Sequence, residues 1–339
     1  MIIDLRSDTL TKPTKGMLDA MFNASVGDDV WEEDPSLMAL EEKSANIFGK
    51  EAGLFCPSGI MTNQLAIKVH VKPGDEVICS RLAHIYNFEG GGIALNSGAS
   101  VRLLEGDTGK FTAKQVEENI NPDNVHYPVT TLVSIEDTCN KGGGAYWDIE
   151  EIKKIRDICK NNNIAYHLDG ARVFNAFTET KADPVEYATN FDSISICLSK
   201  GLGAPVGSVL VGNGDFIKTA RRFRRAFGGG MRQGGYLAAA GIYALENNID
   251  RLKEDHRRAK EIANVLRELP YVEELLPVDT NILVFKLAGE QTSEEYLEKL
   301  LKYDIKAVSF GPQIVRMVTH LDFTEEMLEE VKAKLPGIQ

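Results

Sequence analysis

An amine works on a carbonyl only when it is held in place and can shed a proton, and Lys200 is set up for that. It follows the apolar run Ile194-Ser195-Ile196-Cys197-Leu198 and precedes the glycine-rich Gly201-Leu202-Gly203-Ala204-Pro205. A lysine at a strand end among small residues can form a Schiff base; on its own it is more often a solvated surface lysine. Asp169, 31 residues earlier, ends a second apolar run in His167-Leu168-Asp169-Gly170-Ala171-Arg172. Its carboxylate could keep a proton on a ring nitrogen, or cap a turn. Arg172 offers a planar fork for a carboxylate, or an ordinary ion pair.

A third group, Cys56-Pro57-Ser58-Gly59-Ile60-Met61-Thr62-Asn63, reads as strand, tight turn and helix start. Free backbone N–H groups and the positive end of a helix dipole make such a start a seat for phosphate. No G-x-x-x-x-G-K-[ST] occurs, so it is not a P-loop. The basic run Arg221-Arg222-Phe223-Arg224-Arg225, before Gly228-Gly229-Gly230-Met231-Arg232-Gln233, could hold an anion, but reads mostly as a solvated helix face. His84 and His126 are candidates for proton transfer near neutral pH. His70, His167, His256 and His320 read as structural or surface residues.

These residues need elements to hold them. Apolar runs bounded by Gly, Pro or Asp read as strands at 53–56, 76–80, 101–104, 131–136, 165–169, 193–198 and 208–211. Helical spacing fills much of the intervals, as at 61–70, 112–120 and 149–161. The alternation predicts an α/β fold with a large, mostly parallel sheet covered on both faces. Longer helices follow at 236–247 and 251–269. Pro270, Pro277 and Asp279 then lead to a second alternation at 282–287, 293–303, 313–319 and 324–334, a small C-terminal α+β domain. We place the large domain at 15–245 and the small one at 246–339, with residues 1–14 packing near the active site. Ligands in open α/β sheets sit beyond the carboxyl ends of the strands, which is where Ser58, Asp169 and Lys200 fall.

Composition narrows the classes. The chain has 339 residues and a net charge of −12, which argues against a nucleic-acid or anionic-membrane binder. Cys56, Cys79, Cys139, Cys159 and Cys197 are scattered without zinc-type spacing, so no metal site is expected and a reducing compartment is. There is no signal-peptide pattern at the start and no apolar run of membrane-spanning length. The expectation is a soluble cytoplasmic enzyme acting on a small molecule.

Lysine, aspartate with x-x-Arg, and a Ser-Gly helix start in this order specify pyridoxal phosphate chemistry better together than singly. The order resembles the aspartate-aminotransferase-like fold (fold type I). Within it, the chain is similar to the threonine aldolase family over essentially its whole length. Carriers include Asp4-Leu5-Arg6-Ser7-Asp8-Thr9, Val26-Gly27-Asp28-Asp29-Val30, Asp169-Gly170-Ala171-Arg172-Val173-Phe174-Asn175-Ala176, Leu198-Ser199-Lys200-Gly201-Leu202-Gly203-Ala204-Pro205, Gly228-Gly229-Gly230-Met231-Arg232-Gln233 and Arg316-Met317-Val318-Thr319-His320.

The resemblance implies that Lys200 tethers pyridoxal 5'-phosphate, Asp169 meets its ring nitrogen and His84 stacks on the ring. Ser58, Gly59 and Ile60 would seat the phosphate, joined by Arg172, Arg225 and an Arg232 from a neighbouring subunit. Ser7, Arg172 and Arg316 would grip the substrate carboxylate, with His84 and His126 at its hydroxyl and Trp31 at the edge of the substrate site. It implies a homotetramer built as a dimer of dimers, and cleavage of L-threonine or L-allo-threonine to glycine and acetaldehyde. The rival readings are another pyridoxal phosphate lyase or racemase on the same scaffold and, from another class, a non-catalytic polyanion binder. Three departures from the family pattern stand out: Trp31 for a tyrosine, Ile60 for a hydroxyl-bearing residue and Cys139 for a histidine.

Overall fold

The structure is a computed structural model that describes residues 2–338. Its centre is a seven-stranded sheet, in the order Ala52–Cys56, Ser208–Gly212, Ser193–Cys197, Ala165–Gly170, Thr130–Glu136, Glu76–Ser80, Ser100–Leu104. The five strands from Ser193–Cys197 to Ser100–Leu104 run parallel. Ser208–Gly212 runs antiparallel to both of its neighbours. The central strands are buried along nearly their whole length, the pattern of a sheet covered on both faces, and so they read as continuous apolar runs. The mostly parallel fold expected from sequence is the one observed.

Helix Gly59–His70 packs on this sheet. Ser58 caps it, its Oγ accepting the Met61 N–H at 3.2 Å. Helix Ile149–Asn161 buries Ile152, Ile155 and Cys159 and turns its charged residues outward.

A second sheet is antiparallel, in the order Val308–Gly311, Ile314–Val318, Ile282–Leu287, Val272–Leu275. Helices Leu252–Arg267, Ser293–Lys302 and Glu325–Lys334 share a core with it. Leu252 belongs to the large core and Ala259 to the small one, so one helix enters both. Ile3 and Leu5, from the other end of the chain, also lie in the small core. The strand Ile3–Asp4 pairs in parallel with Ile305–Lys306.

The short strands Ile3–Asp4, Val272–Leu275, Ile305–Lys306 and Val308–Gly311 were not foreseen. They are two to four residues long, and partners distant in sequence fix them rather than an apolar run of their own. No helix among the described residues is long and apolar enough to cross a membrane.

Candidate active site

The carboxyl ends of the large sheet's strands converge on a cavity of about 250 Å³. Ser58, Gly59 and Ile60 follow the first strand of the sheet, His84 follows Glu76–Ser80, Asp169 closes Ala165–Gly170, and Lys200 lies three residues beyond Cys197; all of them line its wall. The first N–H groups of a helix have no acceptor within it. Ser58 Oγ takes that of Met61, leaving those of Gly59 and Ile60 at the wall as an anion seat. A Cβ on Gly59 would meet Ser208 Oγ at 3.4 Å, so the backbone approaches the sheet closely there.

Asp169 is 3% exposed, and among the described residues its Oδ2 has no hydrogen-bond partner. A buried carboxylate oxygen left unpaired in a native fold marks a place where a donor is missing. His84 stands beside it, with a ring nitrogen of His84 and a carboxylate oxygen each of Glu89 and Asp169 within 4.8 Å of one another. Burial alone would lower the His84 pKa. The Glu89 hydrogen bond and the charges of Asp169 and Glu136 outweigh burial and Lys200, and the net direction is upward. Glu136, buried and facing Asp169, has its own carboxyl pushed up, while its Oε2 accepts the His84 backbone N–H at 2.8 Å.

Two guanidiniums lie beyond this wall, and they differ in partners. Arg172 donates from Nε and Nη2 to Asp8 Oδ2 and Oδ1, both at 2.7 Å, in a pair buried on both sides. Although burial works against ionisation, Arg172 holds the Asp8 carboxyl far below the usual carboxylate range. Arg316 donates to Asn140 Oδ1 at 2.8 Å and to the Arg6 carbonyl at 2.9 Å, and lies over the Phe310 ring. Neither acceptor is a carboxylate, and its buried Nε has no partner. Burial and the nearby Arg172 push its pKa down to about 10. Ser7, between these arginines in the chain fold, caps a short turn by accepting from Thr9.

A model of the beta-eliminating lyase family matches residues 4–289. The chain belongs to that family. It is 43% identical over 333 residues to the low specificity L-threonine aldolase of Escherichia coli K12, covering 98% of each chain. It is 38% identical to the low-specificity L-threonine aldolase of Candida albicans, covering 97% of this chain and 88% of that one. The solved structure of Leishmania major threonine aldolase superposes with a TM-score of 0.85 at 20% identity, over 99% and 100% of the two chains, which shows the shared fold.

Not every expected site residue of this lyase lies at the cavity of its own chain. His126 is exposed on the loop before strand Thr130–Glu136, at the amino end of the sheet, opposite the cavity. Trp31 is 72% exposed, and Arg225 is exposed as well. Arg232 is about half exposed and pairs with Asp28 at 2.7 Å.

The basic run is only partly the solvated face expected. Arg224 is buried, donating to Asp29 Oδ2 and the Phe55 carbonyl at 2.6 Å, and Arg221 pairs with Glu41. The helix turns that side inward, where acidic partners distant in sequence meet it. Cys139 is buried with its thiol toward the Glu136 carbonyl.

Sequence reading also passed over Glu89, Asn63 and Asn140 as working groups. Glu89, five residues after His84 and just before Gly90-Gly91-Gly92, was the one with a local signal.

Proposed function

We propose that this lyase is a pyridoxal-phosphate-dependent threonine aldolase, cleaving L-threonine or L-allo-threonine to glycine and acetaldehyde and accepting other β-hydroxy-α-amino acids. The observation that carries this is Lys200, His84 and the unpaired Asp169 oxygen around one cavity with a helix start in its wall. Support comes from relatives 38–43% identical over nearly the whole chain that bear the threonine aldolase name.

The residues present fit the cofactor. Asp169 Oδ2 needs a donor such as a pyridinium N–H, the Gly59 and Ile60 N–H groups suit a phosphate, the His84 imidazole offers a face to a ring, and Lys200 supplies the tethering amine. When bound, pyridoxal phosphate would supply an electron sink for Cα, which would weaken the Cα–Cβ bond.

The chain's own residues choose the bond and manage the protons. Arg316, whose fork faces no carboxylate, takes that of the substrate, with Ser7 and the Nη1 corner of Arg172 beside it. Holding the carboxylate fixes which bond at Cα stands aligned for cleavage. His84 Nε2 accepts the β-hydroxyl proton as the Cα–Cβ bond breaks. The O–H electrons become the second bond of the aldehyde carbonyl, and Cα takes a proton to give glycine.

We further place the enzyme in the cytoplasm as a homotetramer. Five free, buried cysteines fit a reducing compartment. Exposed Phe22, Leu18 and Trp31 are of the kind that subunit contacts cover. Arg225, Arg232, Trp31 and His126, away from their own chain's cavity, then belong to a neighbouring copy's site.

The test is release of acetaldehyde and glycine from L-threonine and L-allo-threonine separately, with pyridoxal phosphate supplied. Release from either supports the aldolase, and the ratio reports the preference at Cβ. A coloured, cofactor-loaded protein that releases acetaldehyde from neither refutes it.

A further inference from the structure

We infer that Glu89 is a positioning residue for this reaction, holding His84 by its Nδ1–H so that Nε2 is the nitrogen left to work on the substrate's hydroxyl. The inference rests on the aldolase reading and adds to it the group that sets the state of its histidine.

The Glu89 side chain is fully buried yet meets three donors. His84 Nδ1 lies 2.9 Å and Asn63 Nδ2 2.9 Å from Oε1, and Gln64 Nε2 lies 2.6 Å from Oε2. A carboxylate so placed only accepts, so the His84 nitrogen facing it carries the proton. The neutral ring then has its lone pair on Nε2.

The hold is braced from behind. Asn63 cannot flip its amide, because its Oδ1 meets His167 Nε2 at 3.2 Å while its Nδ2 serves Glu89. His167, kept neutral by burial with its pKa pushed down to about 3, has one N–H and spends it on Asn63. Its Nδ1 therefore accepts from Ser193 Oγ at 2.9 Å, which in turn accepts from His70 Nε2 at 2.8 Å. One buried charge thus sets the direction of the hydrogen bonds that run from His84 through Glu89 and Asn63 to His167. A histidine held by a buried carboxylate keeps one tautomer and one orientation, which is what a general base needs.

The charged groups facing His84 are Glu89, just beyond its own short helix, Glu136 and Asp169 from two strand ends, and Lys200 from a third. Of the carboxylates only Glu89 bonds the ring. Glu89→Gln keeps the shape and removes the charge.

The experiment is histidine-selective NMR of wild type and Glu89→Gln between pH 5 and 9, without substrate. The His84 signals are assigned by their loss in His84→Asn. Wild type should show the Nδ1-protonated tautomer, and the titration midpoint should fall by about one pH unit or more in Glu89→Gln. In acetaldehyde assays of the holoenzyme, the kcat of that variant should drop about tenfold or more. Its KM for threonine should stay within about twofold, since no carboxylate contact is touched. The acidic limb of the kcat profile should move to lower pH with the NMR midpoint.

An unchanged tautomer and midpoint, or a loss confined to KM, overturns the inference. If Glu89→Gln does not fold, Glu89→Asp carries the test. It keeps the charge but withdraws it by a methylene, so the midpoint should stay raised while kcat falls; full activity in that variant also overturns the inference. The expected NMR shift in a protein that releases no acetaldehyde would place the fault in the reaction assigned and leave the hold on His84 standing.

Discussion

Replacing Arg316 by leucine separates binding from stability. In the structure its guanidinium is buried, bonded to two neutral oxygens, lacks a partner at Nε and lies near a second cation, Arg172. Such a group adds little to folding, because burial of an unneutralised charge offsets what its hydrogen bonds contribute. In the proposed grip its bonds to a substrate carboxylate would be charge-assisted, at about 1.5–3 kcal/mol each. A two-bond grip is then about 3–6 kcal/mol, a loss of about 10²- to 10⁴-fold in kcat/KM when it is removed.

The folding cost comes mainly from leaving the buried Asn140 Oδ1 without its donor, about 1–3 kcal/mol, since the Arg6 carbonyl belongs to an exposed residue. Losing the repulsion toward Arg172 and the burial of a lone charge works against that cost. Asp8→Asn makes the comparison, since it strips a buried guanidinium of its carboxylate partner, a change of about 3–5 kcal/mol. Coupled acetaldehyde assays and thermal melts should therefore rank the two variants in opposite orders. Arg316→Leu loses more kcat/KM, and Asp8→Asn loses more Tm. An Arg316→Leu protein that keeps kcat/KM within threefold of wild type, or melts below Asp8→Asn, refutes the reasoning.

Lys200→Ala should abolish both turnover and the visible absorbance of the bound cofactor, read by spectrophotometry on the reconstituted protein; full activity would overturn the assignment of the tether. Ile60→Thr should tighten cofactor binding about tenfold or more in an equilibrium titration, because a hydroxyl at the helix start adds a hydrogen bond to a charged group. His70, buried against Phe216, has its pKa pushed down to about 4. The unfolded chain therefore takes up a proton there below about pH 6.5 that the folded chain refuses, and stability falls with pH from about 6.5 to 4. Asp137, pushed up to about 7 by burial, works in the opposite sense, so the isolating quantity is a difference. Between pH 6 and 5, wild type should lose about 1.2 kcal/mol more than His70→Gln in denaturant titrations, and parallel slopes would contradict this.

The large sheet was legible in the sequence because strands buried on both faces must be apolar throughout, and Ser193–Cys197 and Glu76–Ser80 announce themselves that way. Lys200, Asp169 and Ser58 were legible because the carboxyl end of a parallel strand is a place a chain can be read to. The fork of Arg172 was legible too, but not that Asp8 fills it, since the two lie 164 residues apart and no local pattern ties them. The same holds for the inward side of helix Gly214–Ala226, where Arg224 looks solvated until Asp29, 195 residues distant, is found beside it. Glu89 was passed over because a glutamate before glycines reads as a turn, and only the folded chain brings Asn63 and Gln64 onto it.

Strand Ile3–Asp4 carries a consequence for how the enzyme comes off the ribosome. Ile3 donates to Asp304 and Leu5 to Lys306, His320 donates to the Asp4 carbonyl, and Arg316 reaches the carbonyl of Arg6. These partners are about three hundred residues apart. At roughly 5–20 residues per second, the first segment waits roughly 15–60 s for the strands that will receive it. Through that interval the Lys200 region can be made and folded while the two arginines proposed to hold the substrate carboxylate are not yet both in place. Substrate recognition is thus among the last properties the nascent chain acquires, and an unfinished enzyme has no means of choosing an amino acid to cleave.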